Sequence, residues 1–196
     1  MIYVRGSGSA IARALGEMTA THGIPHNEPM PDDGEAYLFC QGLLHQKPIT
    51  EQTDEEIAET FLVNTGNVIR ECERLLRINP NARICVMGSE SAYTGSFDQT
   101  YAAAKAGLHA YVETRRLVHH GQQLVCVAPS GVLNTGMTDA RNKEGAEAFE
   151  LRRRKHPKRR WLEPNEVARM IHFLLCVDQG YTTGVVIRMT GGEHCG

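Results

Sequence analysis

No apolar stretch in the 196-residue sequence comes near the ~20 residues that a membrane-crossing helix needs. Charge of one sign is not in excess: 21 Lys and Arg stand against 23 Asp and Glu, a formal net charge of −2. Bulk attraction to nucleic acid or to an acidic membrane surface is therefore not expected. C-x-x-C pairs are missing as well. The six cysteines (Cys40, Cys72, Cys85, Cys126, Cys176, Cys195) mostly sit in apolar segments such as YLFC, ICVM and LVCVA. They read as buried, reduced thiols rather than as a disulfide framework or a metal site. The opening segment MIYVRGSGS has no basic region leading into an apolar core, so a cytoplasmic location is expected. Repeats and linkers are lacking too. With an ordinary apolar fraction of 41%, the expectation is one domain over residues 1–196.

What is present is an alternation of short apolar runs with longer helical patterns, which points to a doubly wound α/β domain with a mainly parallel sheet. Strands are expected at Ile2–Val4, Ala36–Cys40, Arg83–Met87, Gln123–Val127 and Val185–Met189, and helices at Ser9–His22, Asp54–Arg77, Thr100–His119, Glu144–Lys155 and Pro164–Val177. Thr53 followed by Asp54, Glu55 and Glu56 has the pattern of a capping box. Pro164 suits a first helical turn.

Two motifs carry chemistry. After the first strand, Gly6-Ser7-Gly8-Ser9-Ala10-Ile11-Ala12 runs into a helix. A glycine-rich turn of this kind lets the backbone approach a pyrophosphate at a helix N-terminus, although by itself it reads equally well as a tight turn. In the second, TYAAAKAGLHAYVET, Tyr101 and Lys105 lie four residues apart and share one helix face. A cation beside a phenol lowers its pKa from the ordinary value near ~10, which makes a general acid usable near neutral pH.

Taken in order, these and other segments resemble the short-chain dehydrogenase/reductase family from residue 1 to about 192. The turn Gly6-x-x-x-Ala10-x-Ala12 is similar to the family's Gly-x-x-x-Gly-x-Gly, with alanine at two positions. YLFCQGLLHQKPITEQTDEEIAETFLVNTGNV resembles the stretch from the Asn-Ala-Gly turn, here Gln41-Gly42, to the mid-helix asparagine, here Asn64. ICVMGSESAYTGSFDQTYAAAK resembles the segment of the catalytic serine, tyrosine and lysine. There Ser89 precedes Tyr101 by twelve residues, and Ser91 stands in reserve. VCVAPSGVLNTGMTD is similar to the Pro-Gly segment after the sixth strand, with an extra residue between Pro129 and Gly131, and WLEPNEVARMIHFLL and GYTTGVVIRMTGGEH resemble the last helix and strand.

The resemblance implies an NAD(P)-dependent oxidoreductase acting on a carbonyl or secondary alcohol. Tyr101 would be the proton donor, Lys105 its pKa-lowering partner and a ligand of the nicotinamide ribose, Ser89 the group that holds the carbonyl, and Asn64 the anchor of a relay water. It implies cofactor contacts from Gly6, Gly8, Ser9, Ala10, Ile11, Gln41, Gly42, Tyr101, Lys105, Pro129, Gly131, Val132 and Thr135, and a homodimer or homotetramer formed through the helices of Asn64 and Tyr101. The runner-up is a non-catalytic nucleotide sensor or interaction protein that keeps the fold.

One departure sets limits. Gly6 and Gly42 are only 36 positions apart, where the family has two further strands and helices. The remaining stretch GIPHNEPMPDDGEA holds three prolines and offers at most one edge strand, near Ile24–Glu28. A five- or six-stranded sheet follows, with the first strand at or next to an edge. Glu28, Asp32 and Asp33 have the right distance to contact an adenine ribose but follow no clear strand. NAD or NADP is therefore expected to bind weakly, with Arg5 and Arg13 available to a 2′-phosphate. The basic tract from Arg152 to Arg160 falls where the family has a substrate lid. It admits an anionic substrate and reads equally well as a solvated helix end and loop.

Overall fold

The computed structural model describes residues 1–136, 138, 146–178 and 180–193. Cys195 and the expected helix start at Glu144 lie outside the described residues. Six strands form one wholly parallel sheet: β1 (Ile2–Arg5), β2 (Thr21–Ile24), β3 (Ala36–Phe39), β4 (Arg83–Met87), β5 (Gln123–Pro129) and β6 (Val185–Met189), in the order β2-β1-β3-β4-β5-β6. The first strand is next to an edge, as the short interval between Gly6 and Gly42 requires. The strand beyond it begins earlier than the sequence suggests, because Pro25 has no N–H for a ladder and its carbonyl instead accepts from Glu28 N in a turn. The first helix, α1 (Ala10–Gly16), is shorter than expected because Thr21 pairs with Ile2 in the sheet. Met18 and Thr19 fold back onto the Leu15 carbonyl, and the chain enters β2 at Thr21.

Helices cover both faces. Alternate residues of the central strands point to opposite sides. Ile2, Val4, Leu38, Cys85, Met87, Val125 and Val127 pack against α1 and against α7 (Pro164–His172). Tyr37, Phe39, Ile84, Val86, Leu124 and Cys126 pack against α3 (Asn67–Ile78) and α5 (Gln99–Thr114). Burial on both sides is why β5 is an unbroken apolar run after Gln123. The remaining helices are α2 (Asp54–Phe61), started by the Thr53–Glu56 capping box, the one-turn α4 (Ser91–Thr94), and α6 (Ala146–Lys155). α2 continues into α3 through a π-turn at Leu62–Gly66, so the single long helix expected there is widened in its middle.

Polar side chains of α3 hold the proline-rich segment before β3. Met30 is fully buried, and its N–H donates to Glu71 Oε1 at 2.7 Å while its carbonyl accepts from Arg74. Asn79 Nδ2 donates to the Gly34 carbonyl at 2.8 Å and to that of Asp32 at 3.1 Å. Burial pushes the Glu71 carboxyl up, but the hydrogen bonds from Arg74 and from Met30 N–H outweigh it and hold its pKa below the ordinary 4.5. A lowered folded-state pKa gives stability that is complete above the ordinary value and is lost as pH falls through the folded one. The stability difference between the native chain and Glu71→Gln should therefore be largest at neutral pH and shrink below about pH 4.5, as read by urea unfolding at a series of pH values.

Candidate active site

The site forms where α5 meets the exits of β3 and β4. Asp98 caps α5: its Oδ1 accepts from Tyr101 N at 2.9 Å and from Gln52 Nε2 at 3.0 Å, and its Oδ2 accepts from His45 N at 3.0 Å. A single buried carboxylate thus fixes both the helix start and the loop 43–52. One turn in, Tyr101 is 6% exposed and Lys105 is 2% exposed. Lys105 Nζ lies 5.8 Å from the centre of the Tyr101 ring and donates to the Met87 carbonyl at 2.6 Å. Burial lowers the Lys105 pKa from 10.5 to about 8, because desolvation disfavours the cation.

Ser89 follows β4 and is partly exposed. Its Oγ accepts from Ser91 N at 3.2 Å. With an acceptor position so used, the hydroxyl keeps its own proton for another oxygen. Ser91, the reserve serine, thereby serves Ser89 through its backbone. Asn64 is fully buried in the π-turn. Its Oδ1 accepts from Leu43 N at 3.1 Å, and its Nδ2 donates to the carbonyls of Leu43 and Thr60, both at 2.9 Å. Both amide protons are spent on backbone, so the side chain has no donor left for a water. What it visibly does is hold the loop after Gln41 and Gly42.

At the glycine turn, Gly6 has a φ of +83°, and a Cβ there would meet Cys40 C and Gln41 N at 2.6 Å. Only glycine lets the exits of β1 and β3 touch in this way. A Cβ on Gly8 would face open space. Ser9 caps α1 by accepting from Ala12 N at 3.1 Å, and Ala10 and Ile11 open that helix. Gln41 is buried, and its Oε1 has no partner among the described residues. An open approach at Gly8, an orphaned Gln41 acceptor and a buried Lys105 fit a dinucleotide across this edge, where open α/β sheets bind ligands. On the far side, the Pro129 carbonyl accepts from Glu90 N, Gly131 packs under Trp161, and Val132 pairs with Leu162. Thr135 Oγ1 shares a hydrogen bond of 2.9 Å with Thr138 and donates to the Val132 carbonyl at 3.1 Å. The Thr135 hydroxyl is thereby tied into its own loop.

Two expected anion contacts are engaged elsewhere. Arg5 is buried, donates to the Glu28 carbonyl and lies over the Phe39 ring, so it is not presented at the turn. Arg13 folds back onto the Gly8 carbonyl. Of the acidic residues considered for the ribose, Asp32 pairs with Arg74. Asp98 escaped the sequence reading, although an aspartate three residues before Tyr101 is a usual N-cap signal. The pair of Glu90 and Arg188, and His109 on α5, escaped it too. A cleft of about 760 Å³ lined by Arg70, Glu73, Arg77, Arg115 and His119 lies near the amino ends of β4 and β5, away from Tyr101.

Residues 37–194 match the family profile described as Enoyl-(Acyl carrier protein) reductase. The chain belongs to the short-chain dehydrogenase/reductase family. The 3-oxoacyl-[acyl-carrier-protein] reductase MabA of Mycobacterium tuberculosis is 32% identical over 154 residues, which cover 76% of this chain and 60% of that protein. The acetoacetyl-CoA reductase of Allochromatium vinosum is 29% identical over 160 residues, covering 78% of this chain and 63% of the relative. The chain thus spans about three fifths of the length of the curated relatives it matches. Among solved structures, a short-chain dehydrogenase/reductase from Brucella melitensis superposes with a TM-score of 0.84 at 18% identity, over 100% of this chain and 96% of that one. Actinorhodin polyketide ketoreductase with NADPH superposes with a TM-score of 0.83 at 18% identity, over 98% and 96%. At these identities the superpositions speak for the fold.

Two measurements check the electrostatics and the cap. In an NMR titration of lysine side chains, Lys105 should show a midpoint near 8, well below the ordinary 10.5. Asp98→Ala should cost at least ~1 kcal/mol of unfolding free energy and speed hydrogen exchange at the His45 amide.

Proposed function

We propose that the protein is an NAD(P)-dependent oxidoreductase that transfers hydride between the nicotinamide and a carbonyl or secondary alcohol, as one unit over residues 1–196. The observation that carries this reading is the buried Lys105 ammonium beside the Tyr101 ring, bonded to the Met87 carbonyl two residues before a partly exposed Ser89 whose Oγ already accepts from Ser91 N. Bound NAD(P)H supplies the hydride. Ser89 donates a hydrogen bond to the carbonyl oxygen and positions it. Tyr101 transfers its phenolic proton to that oxygen as negative charge develops there, and Lys105 stabilises the resulting phenolate. Asn64 serves by fixing the loop that borders the site. A relay water at this residue would need its main-chain carbonyl or a free lone pair of Oδ1.

Gly6, Gly8, Ser9, Ala10 and Ile11 are assigned to the phosphates, Gln41 and Gly42 to the adjoining ribose, and Pro129, Gly131, Val132 and Thr135 to the nicotinamide side. No Asp or Glu immediately follows β2, whose last residue, Ile24, is followed by Pro25-His26-Asn27. NADP(H) should therefore bind at least as well as NAD(H), and both weakly. Losing ribose and adenine contacts shifts a site tenfold for each ~1.4 kcal/mol. An acyl thioester is the substrate class to try first, in view of the names of the relatives, and Lys155, Lys158 and Arg159 could meet an anionic carrier. Exposed Phe61 and Leu62, beside Asn64, suit a homodimer or homotetramer interface on that helix. The free cysteines suit a reducing cytoplasm.

The same shortened adenine side favours a second reading, a non-catalytic member that senses nucleotides or binds a partner. Assays with NADPH and acetoacetyl-CoA separate the two. Turnover is expected, and Tyr101→Phe should lower kcat by ~10²–10⁴ while NADPH binding, followed by calorimetry, falls far less. Binding of NADPH with no turnover of any carbonyl substrate would favour the sensor. Absence of binding at millimolar NADPH would remove the oxidoreductase reading.

A further inference from the structure

His109 is a buried titratable group without a part in the chemistry above. It stands four residues after Lys105 and eight after Tyr101, so phenol, ammonium and imidazole share one stripe of α5. It is 3% exposed. Its Nε2 lies 3.3 Å from the backbone nitrogen of Ser89 and accepts that N–H. A neutral imidazole that accepts at Nε2 carries its proton on Nδ1, and Nδ1 is buried with no partner among the described residues. An apolar residue here would leave no such orphan, so the imidazole stands out for the one bond it does make. The chain is cut close to fit it. A Cβ on Gly88 would fall 2.2 Å from His109 Nε2 and 2.5 Å from Cys126 Sγ.

We infer that His109 is a positioning residue that holds the exit of β4 by accepting the Ser89 amide and so fixes where the Ser89 hydroxyl points. This rests on the reading of Ser89 as the group that holds the carbonyl. The exit of β4 is then gripped at two points from one helix: Lys105 donates to the Met87 carbonyl and His109 accepts from the Ser89 amide. With the backbone of Ser89 pinned and its Oγ accepting from Ser91 N, the hydroxyl proton has the open site as its outlet. The device needs a neutral imidazole, because a proton on Nε2 would face the Ser89 N–H donor to donor. The surroundings keep it neutral. Burial and the Lys105 cation lower its pKa to about 4, against the opposing Glu90 carboxylate. Glu90 is itself neutralised by Arg188, whose guanidinium stacks on Tyr93, and the Tyr93 ring lies 5.1 Å from the imidazole. On the sheet side the group facing it is the un-ionised Cys126 thiol, which burial pushes up to about 12.

The test uses the full chain labelled with ¹⁵N, read by NMR, with His109→Leu and His109→Gln beside it. In the native chain His109 should be the neutral Nδ1–H form at pH 7 and stay so at pH 5. The Ser89 amide should be protected from exchange. His109→Leu should speed that exchange at least tenfold with the Asn64 side-chain signals unmoved, whereas the glutamine oxygen should restore most of the protection. An Nε2–H or cationic His109 at pH 7 in the native chain overturns the proposal, whether or not the variants fold. So does unchanged Ser89 exchange in a folded His109→Leu. With acetoacetyl-CoA and NADPH, His109→Leu should lower kcat about tenfold at unchanged NADPH affinity, and His109→Gln should recover it. If the native chain turns nothing over, the oxidoreductase reading fails, while the exchange and tautomer measurements still decide the role of His109.

Discussion

The contact between the Lys105 ammonium and the Met87 carbonyl organises this end of the molecule. A lysine that is 2% exposed must find a partner for its charge, and it takes the last carbonyl of β4. That bond seats α5 against the sheet with Leu108 and Val112 beneath it. It also brings the tyrosine one turn earlier to the carboxyl edge of the strands. Asp98 extends the constraint outward, since the carboxylate that starts α5 also receives His45 N and Gln52 Nε2. Asn64 closes it from the other side through Leu43. The site is therefore a convergence of three hydrogen-bonded buried side chains on backbone groups that are far apart in sequence.

At the opposite edge the chain economises. A short parallel strand and a proline-rich turn occupy the space between the glycine turn and β3. Such a segment has little apolar surface of its own to bury. Its order comes from Glu71, Arg74 and Asn79 on α3, which satisfy the backbone of Met30, Asp32 and Gly34 and hold the Met30 side chain in the core. Arg5 is drawn into the same arrangement by the Glu28 carbonyl. Charges that would suit a nucleotide's phosphate or ribose, read one at a time, thus serve to hold this abbreviated edge.

Element type was legible because both periodicities are strong. Runs such as LVCVA can satisfy a sheet buried on both faces, and the Thr53–Glu56 pattern fixes the start of α2 to the residue. Boundaries went wrong where a neighbouring element decided them. The first helix ends six residues before the position its sequence pattern suggests, because nothing local says that Thr21 will pair with Ile2. The edge strand was drawn too late because Pro25 ends it rather than starts it. The long helix through Asn64 carries no local sign of the π-turn that points the amide at Leu43.

The sequence by itself determined the parallel α/β sheet, the glycine turn that joins β1 to α1, and the placing of Tyr101 and Lys105 on one helix face. These follow from spacing along a strand or helix, which a chain carries in its order. Only the tertiary structure decided which partner each polar group takes. Arg5 meets a carbonyl 23 residues away, Asp98 an amide 53 residues away, and His109 the Ser89 amide 20 residues back. The physical reason is that a buried donor or acceptor must be satisfied by whatever the packed layers bring next to it. What they bring depends on strand order and helix docking, which no local spacing encodes.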